Sequence, residues 1–276
     1  MVWHCGRFRL SLERPLVMGV INVTPDSFSD GGRFLAPAAA LEHARQLVAD
    51  GADILDIGGE STRPGAALVS PADQIERVLP VVRALSDVAI PLSVDTSEPE
   101  VMRAALSEGV AIINDVRALS VPGAVGQMAR SDCGVVLMHM QGTPQTMQAN
   151  PSYADVVHEV GDFLRQRRDE VVQAGVAPDR IVLDPGFGFG KRGPHNRTLL
   201  ARLRELTGLG QPLLVGLSRK ASLGEMTGRP VDQRLIASVV AALLAMQAGA
   251  RIVRVHDVAA TRDAIAVWEA VRQEPA

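Results

Sequence analysis

Eight times this chain runs a short, largely aliphatic stretch into an isolated polar residue, and a helix-like segment follows each time. VMGVI ends at Asn22, ADIL at Asp56, PLSV at Asp95, AII at Asn114, VVLM at His139 and IVL at Asp184. PLLVGL runs into Ser218, Arg219 and Lys220, and RIV into Arg254 and His256. Such a stretch reads as a strand covered on both faces, as parallel sheets require. Eight of them alternating with helices predict a (β/α)8 TIM barrel, whose active sites lie at the carboxyl ends of the strands. The polar residues that close the runs are therefore the candidate site.

A length of 276 residues suits one such barrel, so a single domain over 1–276 is predicted. Alternation in VWHCGRFRLSL predicts a short β-hairpin within 1–14 that plugs the bottom of the barrel. Helical spacing covers 36–50, 71–87, 98–108, 123–130, 153–175, 195–207, 231–248 and 258–273. Ser70 has N-cap chemistry, and Gly51, Gly109, Gly175, Gly208 and Gly249 stand where helices should end. From Leu235 to Met246 the chain is apolar nearly all the way round, whereas an outer helix needs one apolar stripe. That second face predicts a homodimer through the 231–248 and 258–273 helices.

The net charge is −3 with no basic stripe, which argues against a nucleic-acid partner. No stretch of about 18 apolar residues is free of charge, which argues against a membrane span. Cys5 and Cys133 match no metal spacing, and a reduced cytoplasmic setting is expected. Lys191 and Lys220 are the only lysines in a chain rich in arginine. A lysine kept where arginine is otherwise preferred points to a need for a compact charge on a flexible stem.

The strand-end residues sort by chemistry. Asp95, Asn114 and Asp184 offer donors and acceptors that suit an N-heterocycle, with a metal site as the competing reading. Arg254 and His256 flank Val255 and so share a face, where they suit a phosphate or diphosphate. Asn22 closes the neighbouring strand and is placed to share that anion or to ligate its Mg2+. Three loops, 22–35, 58–70 and 184–194, are longer than simple connections and read as functional. They carry Phe28, Phe187 and Phe189, which read either as local plugs or as walls for a flat ligand.

The strings NVTPDSFSDGG, GESTRPGA, SVDTS, INDV, LMHMQGTP, LDPGFGFGK, VGLSRK and RVHDV together resemble those of the dihydropteroate synthase family, over essentially the whole chain. The resemblance implies condensation of 6-hydroxymethyl-7,8-dihydropterin diphosphate with 4-aminobenzoate, with Mg2+ as cofactor and sulfonamides as aminobenzoate mimics. It places a pterin site on Asp95, Asn114, Met138, Asp184, Phe189, Gly216 and Lys220. It places diphosphate on Asn22, Arg63, Arg254 and His256, with Asn22 also the metal ligand. The aminobenzoate site falls on Phe28, Thr62, Arg63, Pro64, Phe187, Ser218 and Lys220. Catalysis falls on Asp95, Asp184, Lys220, Arg254 and His256. KRGPHN after the GFGFGK string and LIASVV in the 231–248 helix depart from the commoner family pattern.

Three other readings compete. A pterin-dependent methyltransferase would leave Arg254, His256 and the long first loop unexplained. A Schiff-base aldolase would need Lys220 inside the barrel. A silent pterin-binding paralogue would retain the matched residues without turnover.

Overall fold

The computed structural model describes residues 1–23, 35–61, 65 and 68–273. Phe28, Thr62, Arg63 and Pro64 lie outside the described residues, so their expected roles stay expectations.

The eight aliphatic runs form one parallel sheet. Its strands are β3 (Leu16–Asn22), β4 (Ile54–Gly58), β5 (Leu92–Asp95), β6 (Ile112–Asp115), β7 (Gly134–Met138), β8 (Ile181–Asp184), β9 (Leu214–Val215) and β10 (Ile252–Val255). The order β8-β7-β6-β5-β4-β3-β10-β9 closes through a parallel bridge between Leu183 and Leu213, making a barrel. Strand β9 is shorter than the PLLVGL run, because the chain leaves the ladder at Gly216 for a turn in which the Lys220 N–H donates to the Leu217 carbonyl (3.2 Å).

Side chains alternate between the two faces of each strand. One set, including Val17, Leu55, Val94, Ile113, Leu137 and Leu183, packs outward in the core shared with the helices. The other set fills the barrel and changes character with height. Met18, Ile54, Ile112, Val136, Val182, Leu214 and Ile252 make its lower, apolar layer. Asp56, Asn114, Asp184 and Arg254 follow one step up the same strands, joined by Ser93 and Asp95 of β5.

The first residues form the hairpin β1 (Val2–Cys5) and β2 (Phe8–Ser11), antiparallel with Val2 opposite Ser11. Trp3, Cys5 and Leu12 join the lower apolar layer, so the hairpin is the expected plug. The Trp3 indole N–H donates to the Arg180 carbonyl (2.8 Å), which satisfies the one polar atom this ring buries. Gly134 opens β7 where a Cβ would stand 2.6 Å from the Cys5 sulfur, so the plug fits only against glycine.

The helices are α1 (Leu35–Ala49), α2 (Pro71–Ala84), α3 (Pro99–Ser107), α4 (Ala124–Ala129), α5 (Val156–Gln173), α6 (Gly193–Ala201), α7 (Ala221–Thr227), α8 (Leu235–Gln247) and α9 (Val258–Gln273). The Ser70 hydroxyl accepts from the Asp73 N–H as an N-cap should (3.1 Å). The predicted 195–207 helix instead splits into α6 and a 3-10 turn, Leu203–Leu209, which ends at Gly210 (φ 88°) rather than at Gly208. Helix α7 is additional to the expected set, and α8 starts four residues later than its periodicity suggests. Helix α8 buries Ala241, Ala242, Ala245 and Met246 and leaves Ile236, Val240 and Leu244 exposed. Val267 and Val271 of the adjacent α9 are exposed as well.

Candidate active site

Strand register brings the middle-strand polar residues together. Asp95 pairs with Gly58 on one side and with Asn114 on the other, and Met138 pairs with Asp184. Asp95, Asn114, Met138 and Asp184 thus rim the mouth from four adjacent strands. Burial raises the Asp95 carboxyl to about 7; Arg254 pulls it down, while Asp56, Asp115 and Glu60 push it up. Burial also raises the Asp184 carboxyl, against Lys220 and the Gly186 N–H, which donates to Asp184 Oδ1 at 2.7 Å. Asp115, whose side chain alternates to the outer face, is held by Ser97 and by the N–H groups of Arg117 and Leu119 (both 2.7 Å). It supports the loop after β6 instead of the mouth.

Arg254 spans the barrel. Its Nε donates to Asp56 (2.6 Å) and its Nη2 to Asp95 (3.1 Å). The expected split between a ring group and an anion group is therefore bridged by one guanidinium. Asp257, which follows His256 in the chain, is bound by Arg219 (Nη2 2.5 Å, Nε 3.1 Å) and not by Arg254. His256 instead faces Ser218, with Nδ1 3.0 Å from the hydroxyl and its backbone N–H donating to the same oxygen at 3.2 Å.

The SRK turn presents the second cation. Arg219 adopts a left-handed conformation (φ 59°) that a residue with a Cβ takes only at a cost, and its N–H is held by the Ser238 hydroxyl (2.9 Å). That turn directs Lys220 inward, where Nζ donates to the Phe187 carbonyl and lies 4.5 Å from the Phe189 ring centre. Burial lowers the Lys220 ammonium to about 8, although Asp184 and Asp95 favour its charged form.

The two phenylalanines of the GFGFG loop do different jobs. Phe189 lies beneath Lys220 and is placed to wall the mouth. Phe187 is fully buried in the outer core, so its ring is a plug and not the expected aminobenzoate wall; only its carbonyl reaches the site. Lys191 fixes this loop. Its Nζ meets His139 Nδ1 (2.8 Å) and the carbonyls of Gly186 (3.0 Å), Phe189 (3.1 Å) and His139 (3.4 Å). Burial first, and Lys191 second, drive the His139 imidazole down to about 3, so it is the neutral acceptor in this pair. Gly186 (φ 68°) permits the approach, since a Cβ there would collide with the His139 carbonyl at 1.9 Å.

Asp56 belongs to the run-closing residues that make up the candidate site, but its type gave it no chemical role there; Ser93, inside a run, was not among the candidates. The role of Asp56 shows only once the barrel closes and sets it against Asn114 and Arg254. Among the described residues no group of three His, Cys, Asp or Glu side chains could hold a metal ion, which disfavours the metal reading of the aspartates.

A family model described as pterin binding enzyme matches residues 18–256, from within β3 to just past β10. A dihydropteroate synthase of Neisseria meningitidis serogroup B is 53% identical over 277 residues, covering 98% of this chain and 97% of that protein. The chain belongs to the dihydropteroate synthase family of pterin-binding enzymes. Solved structures of the family share its fold. A Xanthomonas albilineans dihydropteroate synthase bound to 4-aminobenzoic acid superposes with a TM-score of 0.92 at 53% identity, covering 97% of this chain and 96% of that one. The Xanthomonas albilineans dihydropteroate synthase in complex with 7,8-dihydropteroate gives 0.92 at 49% identity, with each chain fully covered. With the family comes the class of reaction: the chain is a transferase.

Proposed function

We propose that this family member condenses 6-hydroxymethyl-7,8-dihydropterin diphosphate with 4-aminobenzoate, releasing diphosphate and 7,8-dihydropteroate. The observation that carries the reading is the ring of Asp95, Asn114, Asp184, Lys220 and Arg254 at one mouth of the barrel. Carboxylates and an amide there accept and donate hydrogen bonds to a flat heterocycle, and the Phe189 ring supplies an apolar wall. Met138 and Gly216 border the same space without competing polar groups.

The chemistry we infer is displacement at the pterin methylene with early C–O cleavage. Positive charge that develops on the dihydropterin is stabilised by Asp95 and Asp184, while Arg254 and His256 stabilise the departing diphosphate. Arg63 of the second long loop joins the anion side, and Thr62, Pro64 and Phe28 the aminobenzoate side, on the family pattern alone. Ser218, which holds His256, links the two sides. The neutral arylamine attacks the carbon directly, and the acidic anilinium that results gives its proton to water or to the departing diphosphate, so no strong general base is assigned.

Asn22 would hold a Mg2+ that arrives with the diphosphate, adding positive charge there. Asn22 closes β3, with no metal-holding group of three His, Cys, Asp or Glu side chains among the described residues, and a lone amide oxygen suits an ion that keeps most of its waters. We further infer a homodimer through α8 and α9, supported by the exposed stripe of Ile236, Val240 and Leu244 beside Val267 and Val271. Two buried free thiols, Cys5 and Cys133, fit a reducing cytoplasm. No helix among the described residues is long and apolar enough to cross a membrane.

The test is a coupled assay for dihydropteroate with 4-aminobenzoate as acceptor, run with and without Mg2+. Product is expected only with both substrates, and strongly more with Mg2+. Tight pterin binding with no product under any condition would favour the silent paralogue instead.

A further inference from the structure

Asp56 stands at the centre of the polar layer, yet the proposed reaction gives it nothing to do. It is fully buried in β4. One carboxylate oxygen accepts from the Ser93 hydroxyl (2.5 Å). The other accepts from Asn114 Nδ2 (3.1 Å) and from Arg254 Nε (2.6 Å). Ser93 is its direct cross-strand partner, whereas Asn114 and Arg254 reach it from β6 and β10.

A carboxylate only accepts, so the Asn114 amide must turn its nitrogen toward Asp56. Its Oδ1 then points the opposite way. Arg254 is pinned at two corners of a planar fork, Nε by Asp56 and Nη2 by Asp95, which fixes the plane of the guanidinium. Both residues belong to the set that the proposed function assigns to the ligand.

On that reading of the site, we propose that Asp56 is a positioning residue: it sets Asn114 to accept an N–H from the pterin ring and holds the Arg254 guanidinium in the plane that meets the pterin diphosphate. Without Asp56 the amide is free to flip and meet a ring donor with its own donor. Arg254 is then free to collapse onto Asp95 alone.

The test compares Asp56→Ala and Asp56→Asn with the wild type, using calorimetric binding of 6-hydroxymethylpterin and its diphosphate, steady-state KM for each substrate, and thermal melting. Loss of positioning should weaken pterin binding in Asp56→Ala about 100-fold, with the KM for 4-aminobenzoate little changed. Asp56→Asn keeps an acceptor for Nδ2 and Nε and should recover most of the affinity. Equal losses for the two substrates, or unchanged pterin binding, would overturn the proposal.

Should Asp56→Ala fail to fold, Asp56→Asn carries the test through pH. Burial, Asp56, Asp115 and Glu60 raise the Asp95 pKa, and Arg254 lowers it. Removing the Asp56 charge leaves Asp95 ionised to lower pH, so the acid limb of pterin binding should move down. An unmoved limb would overturn the proposal. A wild type that binds pterin but makes no product would count against the proposed reaction and leave the Asp56 comparison readable.

Discussion

Arg254 holds two carboxylates at once, and this makes it more than an anion ligand. Its contact with Asp95 helps keep that carboxyl from rising further than about 7. In Arg254→Ala the lowering influence disappears while burial and three acidic neighbours remain, so Asp95 should protonate at higher pH. Pterin binding should then fall at neutral pH and recover toward alkaline pH, whereas diphosphate binding should stay weak throughout. Titration calorimetry from pH 6 to 9 on the pterin and its diphosphate separates the two effects; a loss of diphosphate binding alone would show that Arg254 serves only the anion. Most of this residue set was legible in the sequence, because each member ends an aliphatic run. Their pairing with Arg254 was not. Asp56 lies 198 residues away in the chain, and only the closing of the barrel sets the two side chains against each other.

At the scale of the element, the loop from Pro185 to Gly190 depends on a lysine that does no chemistry. Lys191 is almost wholly buried and is bound to three carbonyls and an imidazole. Burial holds its ammonium well below the usual lysine range. Lys191→Met keeps the length of the side chain and strands those acceptors, at a cost of about 1–3 kcal/mol for each buried one. Hydrogen exchange should show this loop opening ahead of the strands, with the melting temperature lowered; protection equal to the wild type would refute the role. The same loop shows where sequence reading stops. Phe187 and Phe189 both stand between glycines, and nothing local tells a plug from a wall. The difference arises when Gly186 packs on the His139 carbonyl and the loop's direction is fixed. Helix α7 escaped notice as well, since its residues ASLGEMT hold an internal glycine and too few apolar positions to show a helical period.

For the whole molecule, the barrel was readable because both of its faces are apolar, and the hairpin plug because it alternates. The exposed stripe on α8 was visible too, as an excess of apolar residues over what one buried face requires. Ile236 is 77% exposed and lies one helical turn from Val240. A charge at its most exposed position, Ile236→Asp, should yield a monomer by light scattering at micromolar concentration while leaving the far-ultraviolet dichroism unchanged. A wild type that is already monomeric would refute the dimer outright.

The placement of the two lysines has a consequence for labelling. Lys191 is sealed inside the loop, and Lys220 lies at the mouth with its ammonium lowered to about 8. The outer surface therefore carries its positive charge on arginine and offers acylating reagents no lysine amine. In mildly alkaline solution the accessible amines reduce to the amino terminus and Lys220, so a reagent of ordinary selectivity acts here as a site-directed one.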